Sequence, residues 1–275
     1  MKEVLPKPEI ISELSFEEIR AAALAHLKGL LPDYTLLESD PAVKVIEVFS
    51  YRELLLRQRI NEAARNSLLD FAIGSSLDAL GDWHGVQRMD GESDERYRER
   101  IKLYARSGKG SGTEPYYKFI ALSADSRVKD AIVYRKGKDP TIHVALFGNN
   151  EEETANPELL EKVSQALHNK NVIMTNDTII VHAAVAKVVD LKADVWLLPE
   201  TALVVLNQME ANLRAAWKQE QALGRELSLS WWVSKLMIPG VQKIIAVEPT
   251  QEYAVCAEEV LSIGKITLNL RGRAR

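Results

Sequence analysis

The sequence contains very little cysteine: Cys256 is the only one among 275 residues. A single cysteine cannot form an intramolecular disulfide, and it excludes the zinc sites that several cysteines build. We interpret Cys256 as a small, buried apolar side chain near a strand, which is the usual role of an unpaired cysteine.

The sequence also lacks an excess of positive charge and any long apolar run. Its 35 Lys and Arg residues stand against 39 Asp and Glu residues, a formal net charge of -4. Because phosphate contacts dominate the affinity of nucleic-acid-binding proteins, this balance disfavours a nucleic-acid partner.

Apolar stretches are only a few residues long, whereas a membrane-spanning helix needs about 20 apolar residues. Residues 1–9 contain two prolines and no apolar core, so we expect no secretory signal, no membrane partner and synthesis in the cytoplasm.

The composition is that of an ordinary globular protein, with 46% apolar and 27% charged residues. At roughly 100–150 residues per domain, we expect two or three compact units. The order of helix and strand signals predicts an α+β fold with a helical N-terminal part, residues 1–112, that contains one very long helix. Two small α+β modules follow, over residues 113–184 and 185–275.

Two helix starts in the N-terminal part are well marked. Ser15 and Glu18 fit a capping box, and Asp40 precedes a proline that suits the first position of a helix. Because residues 42–73 contain neither glycine nor proline, they predict one helix of about 32 residues, on the order of 48 Å long. A helix of that length in a small protein needs a lateral partner. Further start and stop signals lie at Gly74, Ser75, Gly85 and Ser93.

This predicted long helix carries two arginines on an apolar face. At 100° per residue, Val48 and seven further residues share one side, and those seven form our candidate bundle interface: Val45, Phe49, Arg52, Leu56, Arg59, Ile60 and Ala63. A second apolar arc includes Tyr51, Leu54 and Leu55. One interpretation is a core helix whose arginines extend outward and pair with Glu53 or Glu62. The other is a bundle with other chains, in which partner carboxylates match the guanidinium groups. We favour the bundle.

Beyond a glycine-rich segment at residues 108–112, strand and helix signals alternate. Strands are predicted at 128–134, 141–147, 178–181, 185–197, 241–247 and 263–270, and helices begin near residues 113, 157, 202 and 228. Alternation of apolar and polar residues over 185–197 is typical of an antiparallel strand with one solvent-facing side. We therefore predict that each of the two modules is a sheet with helices packed on one face. Arg271, Arg273 and Arg275 are interpreted as a frayed basic end.

No residue pattern predicts catalysis. The glycine-rich segment 108–113 lacks the spacing and the preceding strand of a phosphate-binding loop, so we interpret it as a hinge. His143 and His182 lie in predicted strands and could meet in space, but we interpret both as structural. Asp78 and Asp82 are interpreted as part of a solvent-exposed helix face. We predict no catalytic residue, no metal site, no cofactor and no enzymatic activity.

The assembled segments resemble, in order and over essentially the whole chain, the baseplate J-like family of contractile-tailed phages. No single motif is diagnostic, but the ordered series is fairly specific. The segments that carry the resemblance are Glu38-Ser-Asp-Pro41, Tyr51-Arg-Glu, Arg57-Gln-Arg-Ile-Asn-Glu-Ala-Ala64, Ser76-Leu-Asp-Ala-Leu80, Gly85-Val-Gln-Arg88, Gly91-Glu-Ser-Asp-Glu95 with Tyr97, Arg98, Arg100 and Ile101, Gly112-Thr113, Tyr116 or Tyr117, Ala121, Val128-Lys-Asp-Ala-Ile-Val133, Leu223-Gly-Arg225 and Gly240-Val-Gln242. The chain departs from the family pattern at residues 172–177, where the usual Arg-Pro is missing, and it ends soon after Leu270.

The resemblance implies a structural subunit of the baseplate wedge, located in the tail of the virion and assembled in the host cytoplasm. It implies that two copies join tail protein I through a helical bundle, while other domains of the copies meet in a ring around the hub. Other wedge, hub and sheath-initiating proteins are the implied neighbours. A long helix with a bundle interface is what such an assembly needs.

Three alternatives stay open at this point. The same part occurs in phage-tail-like contractile injection systems and bacteriocins, which the sequence does not separate from a phage. A cell-wall hydrolase of the tail would need two converging carboxylates with separated pKa values, and no sequence pair indicates them. A nucleic-acid-binding module is disfavoured by the acidic net charge.

Overall fold

The computed structural model describes residues 6, 8–12, 14–33, 35, 37–108, 110, 112–148 and 156–273. Over these residues the chain forms eight helices and six strands in an α+β arrangement, as predicted. It divides into two compact units, residues 1–101 and 102–275. No helix among the described residues is long and apolar enough to cross a membrane.

The N-terminal unit is helical, and most of its helix ends follow the sequence signals. Helices α1 (Phe16–Leu30), α2 (Pro41–Asn66) and α3 (Gly74–Trp83) lie in this unit, and α4 (Asp94–Arg106) begins in it. The capping box at Ser15 is present, and Asp40 Oδ1 accepts a hydrogen bond from Ala42 N–H. The start signal at Ser75, which we expected to be the N-cap of this helix, is wrong: α3 begins at Gly74, and its N-cap residue is Ile73, whose side chain has no acceptor.

Helix α2 ends at Asn66 after 26 residues, so the predicted helix of about 32 residues is too long. The last turn closes with bonds from Ser67 N–H to Ala64 O and from the Ser67 hydroxyl to the same carbonyl. Arg98 of α4 then binds the carbonyls of the following turn, Leu69 O at 2.8 Å and Ala72 O at 2.6 Å. A tertiary contact that sequence periodicity cannot report thus holds residues 67–73 outside the helix.

A group of buried polar side chains holds α4 to the loop before it. Arg100 Nη1 lies 2.6 Å from Glu92 Oε2, and both side chains are at least 95% buried. Arg88 bridges Asp78 of α3 and Asp94 of α4 at 2.6 and 2.7 Å. These contacts give α3 and α4 a defined mutual orientation, because Arg88 in the loop between them pairs with a carboxylate on each helix.

Close packing at Gly81 completes this unit. The Tyr97 ring lies so near Gly81 that a Cβ atom there would overlap its hydroxyl end. Tyr97 itself is buried, and its hydroxyl donates a 2.7 Å hydrogen bond to Val86 O. Only glycine at position 81 therefore lets α3 approach α4 at this distance.

The C-terminal unit contains two three-stranded sheets in series. In the first, β1 (Val128–Arg135), β2 (Ile142–Gly148) and β3 (Ile179–Ala183) lie in the order β1-β2-β3. Helices α5 (Glu114–Ala124) and α6 (Pro157–Leu167) pack on this sheet, and both begin at the predicted caps, Thr113 and Asn156. The core between sheet and helices includes Tyr117, Ala121, Val144, Leu146, Leu159 and Val163.

The second sheet has the order β5-β4-β6, built from β4 (Val185–Leu197), β5 (Val241–Glu248) and β6 (Glu259–Arg273). Helices α7 (Val205–Glu220) and α8 (Leu229–Leu236) cover one face. The alternation predicted along β4 is confirmed from Val189 to Leu197, where every second side chain is buried. The core between this second sheet and its helices includes Leu191, Val195, Met209, Leu213, Trp217 and Trp232.

Both sheets are mixed, so the antiparallel pairing expected for residues 185–197 is confirmed on only one edge of β4. Strand β2 pairs antiparallel with β1 but parallel with β3, and β4 pairs antiparallel with β5 but parallel with β6. The helical crossovers α6 and α7–α8 allow the parallel pairs, because a parallel connection needs a long excursion between strands. The alternation of apolar and polar residues indicates which face of a strand is exposed to solvent, but it does not indicate the direction of the neighbouring strands.

Two interpretations of single residues near the C-terminal end are also wrong. Cys256 is exposed, in the loop before β6, where its N–H donates to Glu259 Oε2. Arg271 and Arg273 are part of β6: Arg271 pairs with Asp194 at 2.9 Å, and Arg273 binds the carbonyl of Leu198. Arg275 lies outside the described residues, as do Lys109 and Ser111 of the glycine-rich segment.

Candidate protein interface

The inner face of α2 is satisfied within the N-terminal unit. Val43, Ser50 and Asn61 are buried, and their positions fall within about 20° of one direction on the helix. Helix α1 packs against α2 and adds an ion pair between Arg20 and Glu47 at 3.0 Å. Hydrogen bonds from Lys44 and then Arg20 lower the pKa of Glu47 from its usual value.

The segment 8–12 lies along the same inner face. Asn61 Oδ1 accepts hydrogen bonds from the N–H groups of Ile10 and Ile11, both at 3.0 Å, while Asn61 Nδ2 donates to Ile11 O at 2.8 Å. Arg57 and Arg65 donate to further carbonyls of this segment, Ser12 O and Pro8 O. The inner face of α2 is therefore occupied by backbone of the same chain.

The outer face of α2 is apolar and exposed. All seven residues of the candidate bundle interface lie in the exposed class, and Phe49 and Leu56 keep 69% and 62% of their surface in contact with solvent. Arg52 and Arg59 lie at about 180° and 160° from the direction of Val43, near the middle of this face. An exposed patch of large apolar side chains on a folded unit is typical of a protein–protein interface.

The spacing of these residues is that of a coiled-coil seam. Positions 45, 49, 52, 56, 59 and 63 alternate steps of four and three residues, which is the heptad pattern of a helix that packs against another helix. A shallow groove of about 410 Å³ runs beside the seam, lined by Arg52, Leu55, Leu56, Gln58, Arg59 and Glu62. These six heptad positions define an exposed face of the helix, which we call the α2 seam.

Two exposed apolar residues outside the candidate bundle interface belong beside the α2 seam. Val48 and Leu55 are exposed and seven residues apart, at the heptad position that flanks the seam. Tyr51 is exposed as well. The sequence analysis placed Val48 on the apolar face and Leu55 in the second arc, and a heptad assignment would have added both to the candidate interface.

The arginines of the α2 seam have no carboxylate partner within the part of the chain that the structure describes. Neither Arg52 nor Arg59 forms an ion pair there, and Glu53 instead pairs with Arg57 at 2.7 Å. The interpretation in which both arginines pair with Glu53 or Glu62 of their own helix is thus not what the structure shows. Two cations thus lie on an apolar face without a counter-charge from the described residues of their own chain.

The other candidate residues from the sequence do not assemble into a reactive site. His143 and His182 do come together, with ring centroids 6.1 Å apart, and Tyr134 stacks on His143 while its hydroxyl lies 3.0 Å from His182 Nε2. Asp78 is engaged by Arg88. Among the described residues, no group of three or more His, Cys, Asp or Glu side chains is placed to hold a metal ion.

Comparison with known proteins identifies the class to which this helix and fold belong. The model of the baseplate J-like N-terminal domain matches residues 38–90, a segment that includes all of α2 and α3. Baseplate protein J of Escherichia phage P2 is 30% identical over 279 residues, and the match covers 91% of each chain. The chain therefore belongs to the baseplate J-like family. This membership supports a structural role in a phage baseplate, located in the tail of the virion, and is consistent with a protein that is not an enzyme.

Proposed function

We propose that this protein is a structural subunit of the baseplate wedge of a contractile phage tail. In this proposal it assembles through a helical bundle with a second copy of itself and a protein similar to tail protein I. Assembly takes place in the host cytoplasm before the baseplate is incorporated into the virion. The observation that carries the proposal is the α2 seam, which presents apolar side chains in heptad spacing to solvent.

Two features support the assignment of the bundle to α2. Its inner face is already occupied by α1 and by the segment 8–12, so only the outer face is available to another helix. In addition, α2 lies entirely within the residues that match the family domain. Burial of exposed side chains such as Phe49 and Leu56 contributes about 1.5–3 kcal/mol each, which is the usual source of bundle stability.

We further propose that the modules 113–184 and 185–275 supply the contacts of the ring and between the two copies. Each module has its own buried core and its helices on one face of the sheet. On the second sheet, Ile245 and Val247 of β5 are exposed apolar side chains at an edge strand. Such a strand edge is available for contact with another subunit.

The proposal is tested by co-expression with the tail protein I-like product of the same gene cluster, followed by native mass spectrometry. We expect a complex that contains two copies of this chain, and we expect the Phe49→Asp/Leu56→Asp variant to lose it. Leu203→Asp, at an exposed position of the C-terminal unit, is the matched control and should assemble normally. Assembly of the double variant at the level of the wild type would contradict the proposal.

The genes around this one distinguish a phage from an injection machine. Capsid and terminase genes nearby would indicate a phage.

A further inference from the structure

We infer that the helix that packs on Arg52 and Arg59 belongs to a different kind of chain and carries two carboxylates one heptad apart. This inference rests on the proposed bundle and specifies the chemistry of its partner. Arg52 and Arg59 are separated by seven residues, or about 10.5 Å along α2, and lie within about 20° of each other. A second helix that runs along the seam meets both guanidinium groups on the same side.

Burial of these arginines requires counter-charges from the partner. In the single chain, Arg52 and Arg59 are both exposed, and they lie on a face whose other side chains are apolar, such as Phe49 and Leu56. When a helix covers this face, each guanidinium loses water, and the loss is offset only by a matched and hydrogen-bonded anion. A carboxylate is the best match, because it accepts two parallel hydrogen bonds from the guanidinium fork.

A second copy of α2 does not provide those carboxylates. Glu47 is bound by Arg20 and Lys44, and Glu53 is bound by Arg57. Both lie outside the seam, and only Glu62 remains, beside it. Two α2 seams that faced each other would place four arginines in one interface, where like charges repel.

The side chains of the seam also define the shape of the partner. Positions 49, 56 and 63 hold Phe49, Leu56 and Ala63, so the side chains become smaller toward the C-terminal end of α2. Interdigitated packing at constant density requires large side chains opposite small ones. The partner helix therefore carries a small residue opposite Phe49 and a large apolar residue opposite Ala63.

The inference is tested with the full chain and synthetic helical peptides of about four heptads. The first peptide has Glu at two seam positions seven residues apart, the second has Gln at those positions and the third has Lys. The fourth peptide is residues 41–66 of this chain. Fluorescence anisotropy at low salt should rank the Glu peptide first, by about tenfold or more over the Gln peptide. The Lys peptide and the 41–66 peptide should bind more weakly than the Gln peptide.

Charge reversal provides the matched control. Arg52→Glu/Arg59→Glu should prefer the Lys peptide to the Glu peptide. Arg135→Glu/Lys136→Glu makes the same change in net charge at exposed positions of the C-terminal unit, and it should keep the wild-type ranking. Equal binding of the Glu and Gln peptides, tight binding of the 41–66 peptide, or no binding of the Glu peptide would each overturn the inference.

The wedge complex separates this inference from the proposed function. If Arg52→Glu/Arg59→Glu still joins the tail protein I-like chain, the partner carboxylates are refuted while the bundle stands. If the wild-type chain forms no complex with that protein, the proposed function fails. We expect Arg52→Glu/Arg59→Glu to lose the complex and Arg135→Glu/Lys136→Glu to keep it. That outcome supports both the partner carboxylates and the proposed function.

Discussion

Asn61 binds Ile11 through both ends of its carboxamide: the oxygen accepts from Ile11 N–H at 3.0 Å and the nitrogen donates to Ile11 O at 2.8 Å. Asn61 is fully buried in the middle of the inner face of α2. This pair ties the segment 8–12 to the helix by backbone recognition. It also explains why α2 has one satisfied face and one face left for a partner.

We expect Asn61→Ala to release the segment 8–12 from α2. Three hydrogen bonds are lost, and the backbone groups of Ile10 and Ile11 become hydrated, so the free energy of unfolding should fall by about 1–2 kcal/mol. Urea denaturation measures the loss, and hydrogen exchange at Ile10 and Ile11 localises it. Gln58→Ala, at an exposed position of the same helix, should change neither measurement. Unchanged exchange at Ile11 in Asn61→Ala would show that these bonds do not hold the segment.

We expect Arg100→Met to destabilise the N-terminal unit strongly. The substitution leaves Glu92, whose side chain is fully buried, without its 2.6 Å partner, a change that typically costs about 3–5 kcal/mol. Arg106→Met removes an exposed arginine from the same helix and should cost about 0.5 kcal/mol or less. Thermal unfolding monitored by circular dichroism compares the two variants. Similar melting temperatures for both would contradict the predicted role of the buried pair.

The ion pairs of Asp125 predict a pH dependence for the C-terminal unit. A side-chain hydrogen bond from Arg127, helped by Lys162, holds the pKa of Asp125 well below its usual range. Because the folded-state pKa is depressed, this stabilisation is present above the unfolded pKa of about 4 and is lost as the pH falls toward the folded value.

Asp125→Asn should therefore be less stable than the wild type at pH 7, by up to about 1 kcal/mol for such a partly exposed pair. The difference should shrink as the pH is lowered from 4 to 2, roughly the range below the unfolded pKa. Urea denaturation at several pH values measures it. Glu226→Gln, which alters an exposed carboxylate in the same unit, should show little difference at any pH. If the difference in stability between Asp125→Asn and the wild type stays constant with pH, the ion pairs are not its cause.

We expect Arg59→Ala to abolish wedge assembly, and Arg52→Ala to weaken it, while the C-terminal unit stays folded. Removal of one member of a buried pair strands its partner carboxylate, at a cost of roughly 3–5 kcal/mol, whereas an exposed arginine contributes about 0–1 kcal/mol. Arg59→Lys should restore assembly only in part, because an ammonium cannot replace the guanidinium fork. Pull-down of the wedge partner measures assembly, and circular dichroism reports folding. Normal assembly of Arg59→Ala would place the contact elsewhere on α2.

We expect the isolated protein to self-associate weakly and heterogeneously until a partner covers the α2 seam. Exposed Phe49, Leu56 and Val48 form an apolar patch that favours nonspecific contact in water. Sedimentation velocity at micromolar concentration should show a broad distribution, which sharpens in the wedge complex and in Phe49→Asp/Leu56→Asp. A single compact monomer for the wild type would mean that the seam is too small to drive association.

Local signals accounted for most element starts. The caps at Ser15, Asp40, Thr113 and Asn156 act through hydrogen bonds to residues two or three positions away, so the sequence contains the whole interaction. The alternation in β4 and the apolar face of α2 are periodic in the same local sense. The resemblance to the baseplate J-like family also came from ordered short segments and is confirmed.

The length of α2 and the direction of the strands depended on residues far away in the chain. Arg98 holds the turn after α2, and the crossovers α6 and α7–α8 allow β3 and β6 to run parallel to their neighbours. By itself the sequence determined the fold class, most helix starts and an apolar helix face with two arginines. The tertiary structure decided that this face is the outer one, because α1 and the segment 8–12 cover the opposite side, and no local pattern records which side a distant segment covers.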